Sequence, residues 1–266
     1  MARPIVAFLS DFGTRDHYAG TLKAVVLGVC PDATLVDIGH DIPAHDVMTG
    51  ALELGACYRY FPHGTVFLAV VDPGVGSSRR GIAADTGDYR FVAPDNGLLS
   101  AVFHDTPPKK VVELTERKYA RPTVSRTFEG RDRFAPAAGW LAKGITLTWL
   151  GKGVTDFQVL DLPRPIADAT HISGEVVRID RFGNLITNID RRAFEQLASS
   201  GPIAVRAGSR DIGRVVATYA EAPAGELCAL FGSTDHLEIA VNAGDAAAHL
   251  ALSRGAIVTV RLASLI

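Results

Sequence analysis

From Pro4 to about Leu160, short apolar runs alternate with longer amphipathic stretches, the pattern of strands in a parallel or mixed sheet covered by helices. The clearest runs span residues 5–9, 34–38 and 65–71 and are rich in β-branched residues. Each stops in a polar, glycine-containing segment: Ser10-Asp11-Phe12-Gly13, Asp37-Ile38-Gly39-His40 and Asp72-Pro73-Gly74-Val75-Gly76. Ligands of open α/β sheets collect beyond the carboxyl ends of the strands, so these loops are expected to line one crevice. Helical spacing covers residues 18–30 and 46–60, with Pro31 and Pro62 just after. A third helix is predicted from near Asp132, whose carboxylate suits an N-terminal dipole, through Trp140 to Lys143. Proline-rich residues 161–165 read as a linker, after which short alternating strands take over at 174–180, 185–189 and 237–241. The expectation is an α/β N-terminal domain with a central, mostly parallel sheet over residues 1–160, a linker at 161–170, and a smaller all-β C-terminal domain over 171–266.

A chain of 266 residues with 47% hydrophobic and 21% charged content is long and apolar enough to fold without staples, which excludes disordered and fibrous classes. Its 27 basic and 29 acidic residues leave a net charge of -2, no footprint for a polyanion, so nucleic acid is not expected as a partner. Cys30, Cys57 and Cys228 are far apart among apolar neighbours and read as reduced thiols of a cytoplasmic protein. No signal-peptide pattern opens the chain and no segment reaches membrane-spanning length, so no membrane partner is expected either.

Generic motifs fail. Gly74-Val75-Gly76 lacks the third glycine of a dinucleotide fingerprint, and no Walker lysine follows. The cluster His40, Asp41, His45 and Asp46 has metal-ligand residue types, but Ile42-Pro43 interrupts it, so no metal is expected. No Gly-x-Ser-x-Gly elbow exists. What remains is polar residues where apolar strands end. Asp11 suits two vicinal hydroxyls of a ribose, or else caps the following turn. Asp72 and Arg79, seven residues apart across a glycine-rich loop, are spaced for a fold-back contact that serves chemistry or a plain ion pair. Residues 125–136 concentrate charge before an apolar helix, while Asp180-Arg181-Phe182-Gly183-Asn184 and Gly232-Ser233-Thr234-Asp235 read as turns.

Five ordered motifs carry a resemblance that none supports singly. They are Leu9-Ser10-Asp11-Phe12-Gly13; Val71-Asp72-Pro73-Gly74-Val75-Gly76 with Arg79-Arg80; Ala93-Pro94-Asp95-Asn96-Gly97; Thr127-Phe128-Glu129-Gly130-Arg131-Asp132; and Phe182-Gly183-Asn184. Together they resemble the S-adenosyl-L-methionine hydrolases, or hydroxide adenosyltransferases, a family that includes fluorinase and chlorinase halogenases. The match extends to Leu237-Glu238-Ile239-Ala240-Val241-Asn242 and so covers nearly the whole chain. The resemblance implies a barrel-like C-terminal domain and a homotrimer whose active sites lie between one subunit's first domain and its neighbour's second. It also implies hydrolysis of S-adenosyl-L-methionine to adenosine and methionine, with no cofactor. Asp11 is implied to hold the ribose hydroxyls, Asn184 and the backbone near Val241 the adenine edge, and Asp180 and Ser233 the methionine end. Tyr18 and Asn96 complete the implied substrate-binding set.

The family's hydrolases place an aspartate, an arginine and a histidine around the attacking water, and the first two match Asp72 and Arg79. The third departs: where the family's motif reads Phe-His-Gly-Arg-Asp, this chain has Glu129. The catalytic set is therefore read as Asp72, Arg79 and Glu129, with either carboxylate as general base. A halogenase is the nearest rival, disfavoured by the short connection from Ser77 to Ala93 and by the extra carboxylate. A non-catalytic module that senses S-adenosyl-L-methionine or adenosine is the rival from another class.

Overall fold

A computed structural model of the protein describes residues 3–263. It contains two compact units, Met1–Leu162 and Pro163–Ile266. The first is built on a six-stranded sheet of β1 (Ile5–Ser10), β2 (Thr34–Gly39), β3 (Val66–Val70), β4 (Gly81–Asp85), β5 (Arg90–Pro94) and β6 (Lys110–Glu113), in the order β2-β1-β3-β5-β4-β6. Neighbours from β2 to β5 run parallel, and β4 is antiparallel to both β5 and β6. The sheet is thus mixed, with parallel strands at its centre.

Strand periodicity sorts the apolar side chains onto two faces. Val6, Phe8, Val66, Leu68 and Val70 meet α1 (Tyr18–Val29) and, after helices α2 (Val47–Cys57) and α3 (Ser100–Asp105) of the opposite face, α4 (Ala135–Ala142). Ala7, Leu9, Phe67 and Ala69 pack with Leu54 of α2 and Val102 of α3. Because both faces are covered, β3 reads as a continuous apolar run. Asp46 caps α2 by accepting from the Thr49 amide at 3.0 Å, a contact worth about 1 kcal/mol.

The third predicted helix differs from expectation. Residues Gly130–Phe134 form a π turn that runs directly into α4. Asp132 is fully buried inside it and does not serve a helix dipole. Its carboxylate accepts from Arg131 Nε at 2.7 Å and from the Ser125 amide at 2.8 Å, with Arg121 Nε at 3.3 Å. Burial alone would raise this carboxyl, but those donors hold it below the usual carboxylate range.

The second unit is one antiparallel sheet of β7 (Ile166–Ala167), β8 (His171–Ile179), β9 (Leu185–Asp190), β10 (Ile203–Ala207), β11 (Arg210–Ile212), β12 (Leu227–Phe231), β13 (His236–Val241) and β14 (Ile257–Leu262). Its path is β11-β10-β14-β8-β9-β13-β12, with β7 pairing β8 inside the segment that the sequence reads as a linker. Past β11, the Val216 amide donates to Ala229 of β12 at 2.9 Å and the Ala229 amide returns to Arg214 at 3.0 Å. These bonds nearly close the sheet into a barrel. Its interior holds Ile172, Val176, Leu185, Leu237, Ile239 and Val260, together with Phe194 from α5 (Arg191–Ala198) and Ala246 from α6 (Ala246–Leu250). Among the described residues no helix is long and apolar enough to cross a membrane. The three cysteines are free, Cys30 and Cys228 buried and Cys57 partly so.

Candidate active site

Two loops of the first unit converge on one arginine. Asp72 ends the turn out of β3 and, with its side chain 5% exposed, receives Arg79 on both oxygens: Nε donates to Oδ1 at 2.7 Å and Nη2 to Oδ2. Arg79 Nη1 donates to the Arg80 carbonyl, and the guanidinium carbon lies 5.1 Å from the Phe134 ring centroid. Glu129 closes the group, its Oε2 lying 2.7 Å from Arg79 Nη2 and its Oε1 accepting from Arg133 Nη1 at 3.1 Å. Arg133 is fixed in turn by donating to the Leu114 carbonyl. Glu129 and Arg133, four residues apart, pair where the chain enters the π turn; such turns recur at functional sites.

Glu129 Oε2 is buried, and no N–H is directed at it. The close approach of Arg79 is therefore an electrostatic contact without hydrogen-bond alignment, since the guanidinium edge is turned to Asp72. Both oxygens of Asp72 receive a directed donor, whereas Oε2 of Glu129 receives none. Gly76 explains how the loops meet. It adopts φ +78°, and a Cβ there would lie 2.4 Å from the Arg126 carbonyl oxygen, so only glycine lets the Asp72 loop approach the segment leading into Glu129.

Asp11 follows β1, and its Oδ2 accepts from the His45 amide at 2.9 Å. Beside it Phe12, Tyr18 and Phe128 form an aromatic trio, with centroids 5.8 Å apart for Phe12–Tyr18, 5.8 Å for Phe12–Phe128 and 5.1 Å for Tyr18–Phe128. Tyr18 is 41% exposed, an amphipathic ring open to solvent at the start of α1. The trio joins the Asp11 loop to the Glu129 segment. Asn96 uses its amide on the backbone: Nδ2 donates to the Val71 carbonyl at 2.8 Å, and Oδ1 accepts from the Leu98 amide. It thereby holds the residue preceding Asp72. Arg80 donates to buried Asp95 at 2.8 Å and to Asp156 at 2.7 Å, tying the same two loops from behind.

In the second unit, Asp180 and Asn184 share the turn between β8 and β9. Asp180 Oδ1 accepts from the amides of Phe182 and Asn184, and Oδ2 accepts from the Asn184 side chain, each at 2.9 Å. Ser233 is exposed in the turn between β12 and β13. The Val241 side chain points into the barrel core, and its carbonyl accepts from the Gly244 amide at 3.0 Å.

Sequence reasoning did not single out Glu238, a buried carboxyl on β13 that accepts from the Tyr219 hydroxyl at 2.9 Å. Burial first, then the charge of Asp180, pushes this carboxyl up, outweighing the Tyr219 bond. A carboxyl raised in the folded state gives its full stability below the unfolded value of about 4.3 and loses it as pH rises through the folded one. Glu238→Gln keeps the acceptor for Tyr219 and removes the charge. The variant is expected to melt above the parent near neutral pH and level with it near pH 4 in thermal denaturation scans; a constant difference at both would contradict the assignment.

Among the described residues no group of three or more His, Cys, Asp or Glu is arranged to hold a metal ion. Within the His40 to Asp46 cluster, His40 binds Ser10 and Asp37, the His45 amide binds Asp11, and Asp46 caps α2. Arg133 was also missed, although its spacing of four residues from Glu129 is a recognisable helical pairing signal.

Two family models match the chain: the SAM hydroxide adenosyltransferase N-terminal domain over residues 6–151 and the corresponding C-terminal domain over 174–259. The chain is 40% identical over 261 residues to a Thermus thermophilus protein named (R)-S-adenosyl-L-methionine hydrolase, covering 95% of this chain and 97% of the relative. A protein of the same name from Salinispora tropica is 37% identical over 261 residues, covering 95% of each. A protein from Actinoplanes sp. named fluorinase is 30% identical over 220 residues, covering 73% of this chain and 74% of the relative. Among solved structures, an uncharacterized conserved protein from Thermotoga maritima is similar with a TM-score of 0.91 at 36% identity, covering 96% of this chain and 99% of that one.

Proposed function

The chain belongs to the SAM hydroxide adenosyltransferase family, and from that premise we propose that it hydrolyses S-adenosyl-L-methionine at ribose C5′, giving adenosine and L-methionine. The observation that carries the mechanism is the buried, unaligned Oε2 of Glu129 beside Arg79. The leaving group is a thioether departing from a sulfonium, so it needs no proton. Water attacks C5′ in line with the C–S bond, and the bonding pair leaves with sulfur. The proton released by the water passes to Glu129 Oε2, which has an open lone pair. Asp72, held on both oxygens by Arg79, orients the guanidinium, which in turn holds the water's oxygen; positioning of this kind supplies much of the rate.

Asp11 is proposed to take the ribose hydroxyls, with its Oδ2 anchored on His45, and Tyr18 to offer its ring to the substrate. Asn96 is proposed to act through the Asp72 loop that it holds. Asn184 and the backbone at Val241 are assigned to adenine, and Asp180 and Ser233 to the methionine end. The reading includes a homotrimer, which sedimentation equilibrium tests, a cytoplasmic location, and no cofactor. A second unit negative charge about 4 Å from a halide costs roughly 1 to 4 kcal/mol across effective dielectrics of about 80 to 20, which favours water over chloride or fluoride as nucleophile.

The deciding experiment incubates pure protein with each sulfonium epimer of the substrate, because the relatives' names specify the R form, with and without chloride. Chromatography is expected to show adenosine, unchanged by chloride. A 5′-halogenated nucleoside would assign a halogenase, and tight binding without turnover would assign a sensor; either outcome overturns the hydrolase reading.

A further inference from the structure

Ser10, the last residue of β1, is fully buried, and His40, just past β2, is 5% exposed. Ser10 Oγ lies 2.7 Å from His40 Nδ1, and His40 Nε2 lies 3.0 Å from Asp37 Oδ1. Lys23 of α1 donates to the other oxygen of Asp37. Four side chains thus form one chain running from the surface to the buried end of β1. Although burial raises the Asp37 carboxyl, hydrogen bonds from Lys23 and His40 hold it below the usual range. An ionised carboxylate only accepts, so His40 donates through Nε2, and in the neutral ring Nδ1 then accepts from the Ser10 hydroxyl. A Ser10 lone pair then receives the Phe12 amide at 3.3 Å.

The order resembles a nucleophilic relay, yet a fully buried serine has no access to a substrate. Its position offers another role. The loops after β1 and β2 are joined by backbone bonds from Gly13 to the His40 carbonyl at 2.7 Å and from Ile42 to the Ser10 carbonyl at 3.4 Å. Between them the Ser10–His40 contact is the side-chain bolt, one residue from Asp11. On the far side, Asp11 Oδ2 rests on the amide of His45, whose φ of 68° is left-handed and is sustained only while the loop is held in register.

We propose that Ser10 and His40 are positioning residues: the Lys23–Asp37–His40–Ser10 chain, buried at its Ser10–His40 end, locks the β1 and β2 loops together and thereby aims the Asp11 carboxylate at a vicinal diol. The diol assignment rests on the proposed function; the locking does not. Neither residue touches the substrate, so the relay sets affinity for the ribose and leaves the chemical step to Glu129.

The test compares His40→Ala, His40→Gln and His40→Asn with the parent. Asparagine places an acceptor where Nδ1 was and keeps the Ser10 bond, whereas glutamine reaches toward Asp37 and forfeits it. Adenosine affinity, read by titration calorimetry, is expected to fall roughly 5- to 100-fold in the alanine and glutamine variants and to recover with asparagine. Affinity for 2′,3′-dideoxyadenosine should stay constant throughout, because it lacks the hydroxyls that Asp11 would hold. In steady-state assays the loss should fall on KM and spare kcat. Equal losses for both nucleosides, or a kcat defect, would overturn the proposal. Hydrogen exchange at the His45 amide provides a ligand-free reading: faster in the alanine and glutamine variants and in Ser10→Ala, unchanged with asparagine. If the parent fails to bind adenosine, the functional reading falls, while the exchange data still decide the lock; unchanged exchange in Ser10→Ala would remove it.

Discussion

Glu129→Gln is expected to lower the rate of adenosine formation by about 10² to 10⁴, the usual contribution of a positioned general base, with KM nearly unchanged. Glutamine preserves the side-chain volume and leaves a carbonyl oxygen for Arg133, whose donation to Oε1 orients the group. The basic lone pair at Oε2, the oxygen lacking a directed donor, disappears together with the negative charge beside Arg79. Single-turnover kinetics with saturating substrate isolate the chemical step. An unchanged rate would remove Glu129 from proton transfer and move the role to Asp72, despite both its oxygens being occupied by Arg79. Glu129→His, which restores the residue type of the family's motif, is the companion variant and is expected to retain turnover, with the pH–rate profile shifted toward an imidazole titration.

The parts of this arrangement that the chain discloses without coordinates are those written locally. The ends of β1 and β3 are marked by apolar runs breaking into Asp11 and Asp72, and the seven-residue spacing of Asp72 and Arg79 shows the fold-back pair. Strands β4, β5 and β6 went unmarked because each is only four or five residues long and carries a charged residue within it, leaving too short an apolar run to stand out. The widened turn at Gly130–Phe134 was read as an ordinary helix start, since a π turn has no composition of its own; its cause is tertiary, the burial of Asp132 against Arg131, Arg121 and the Ser125 amide. Ser10 and His40 lie thirty residues apart, and only the parallel pairing of β1 with β2 brings them together.

Arg79→Met is expected to cost both turnover and fold stability, which distinguishes it from Glu129→Gln. Arg79 lies between two carboxylates whose side chains are 5% and 13% exposed, itself 9% exposed. Removing one partner of a buried ion pair leaves an uncompensated charge and typically costs about 3 to 5 kcal/mol. Here two carboxylates would be left facing each other, and Arg133 reaches only the far oxygen of Glu129. For a unit of this size the melting temperature should fall on the order of 10 °C. Methionine keeps most of the aliphatic packing against Phe134, so the loss reports charge and not a cavity. The double variant Arg79→Met with Glu129→Gln should recover part of the stability, because one of the stranded charges is gone, yet recover none of the activity. Calorimetric scans of the parent, both single variants and the double variant form a closed cycle. A coupling energy near zero would show that Arg79 and Glu129 are neighbours without a shared electrostatic role, and the water-holding assignment of the guanidinium would fall with it.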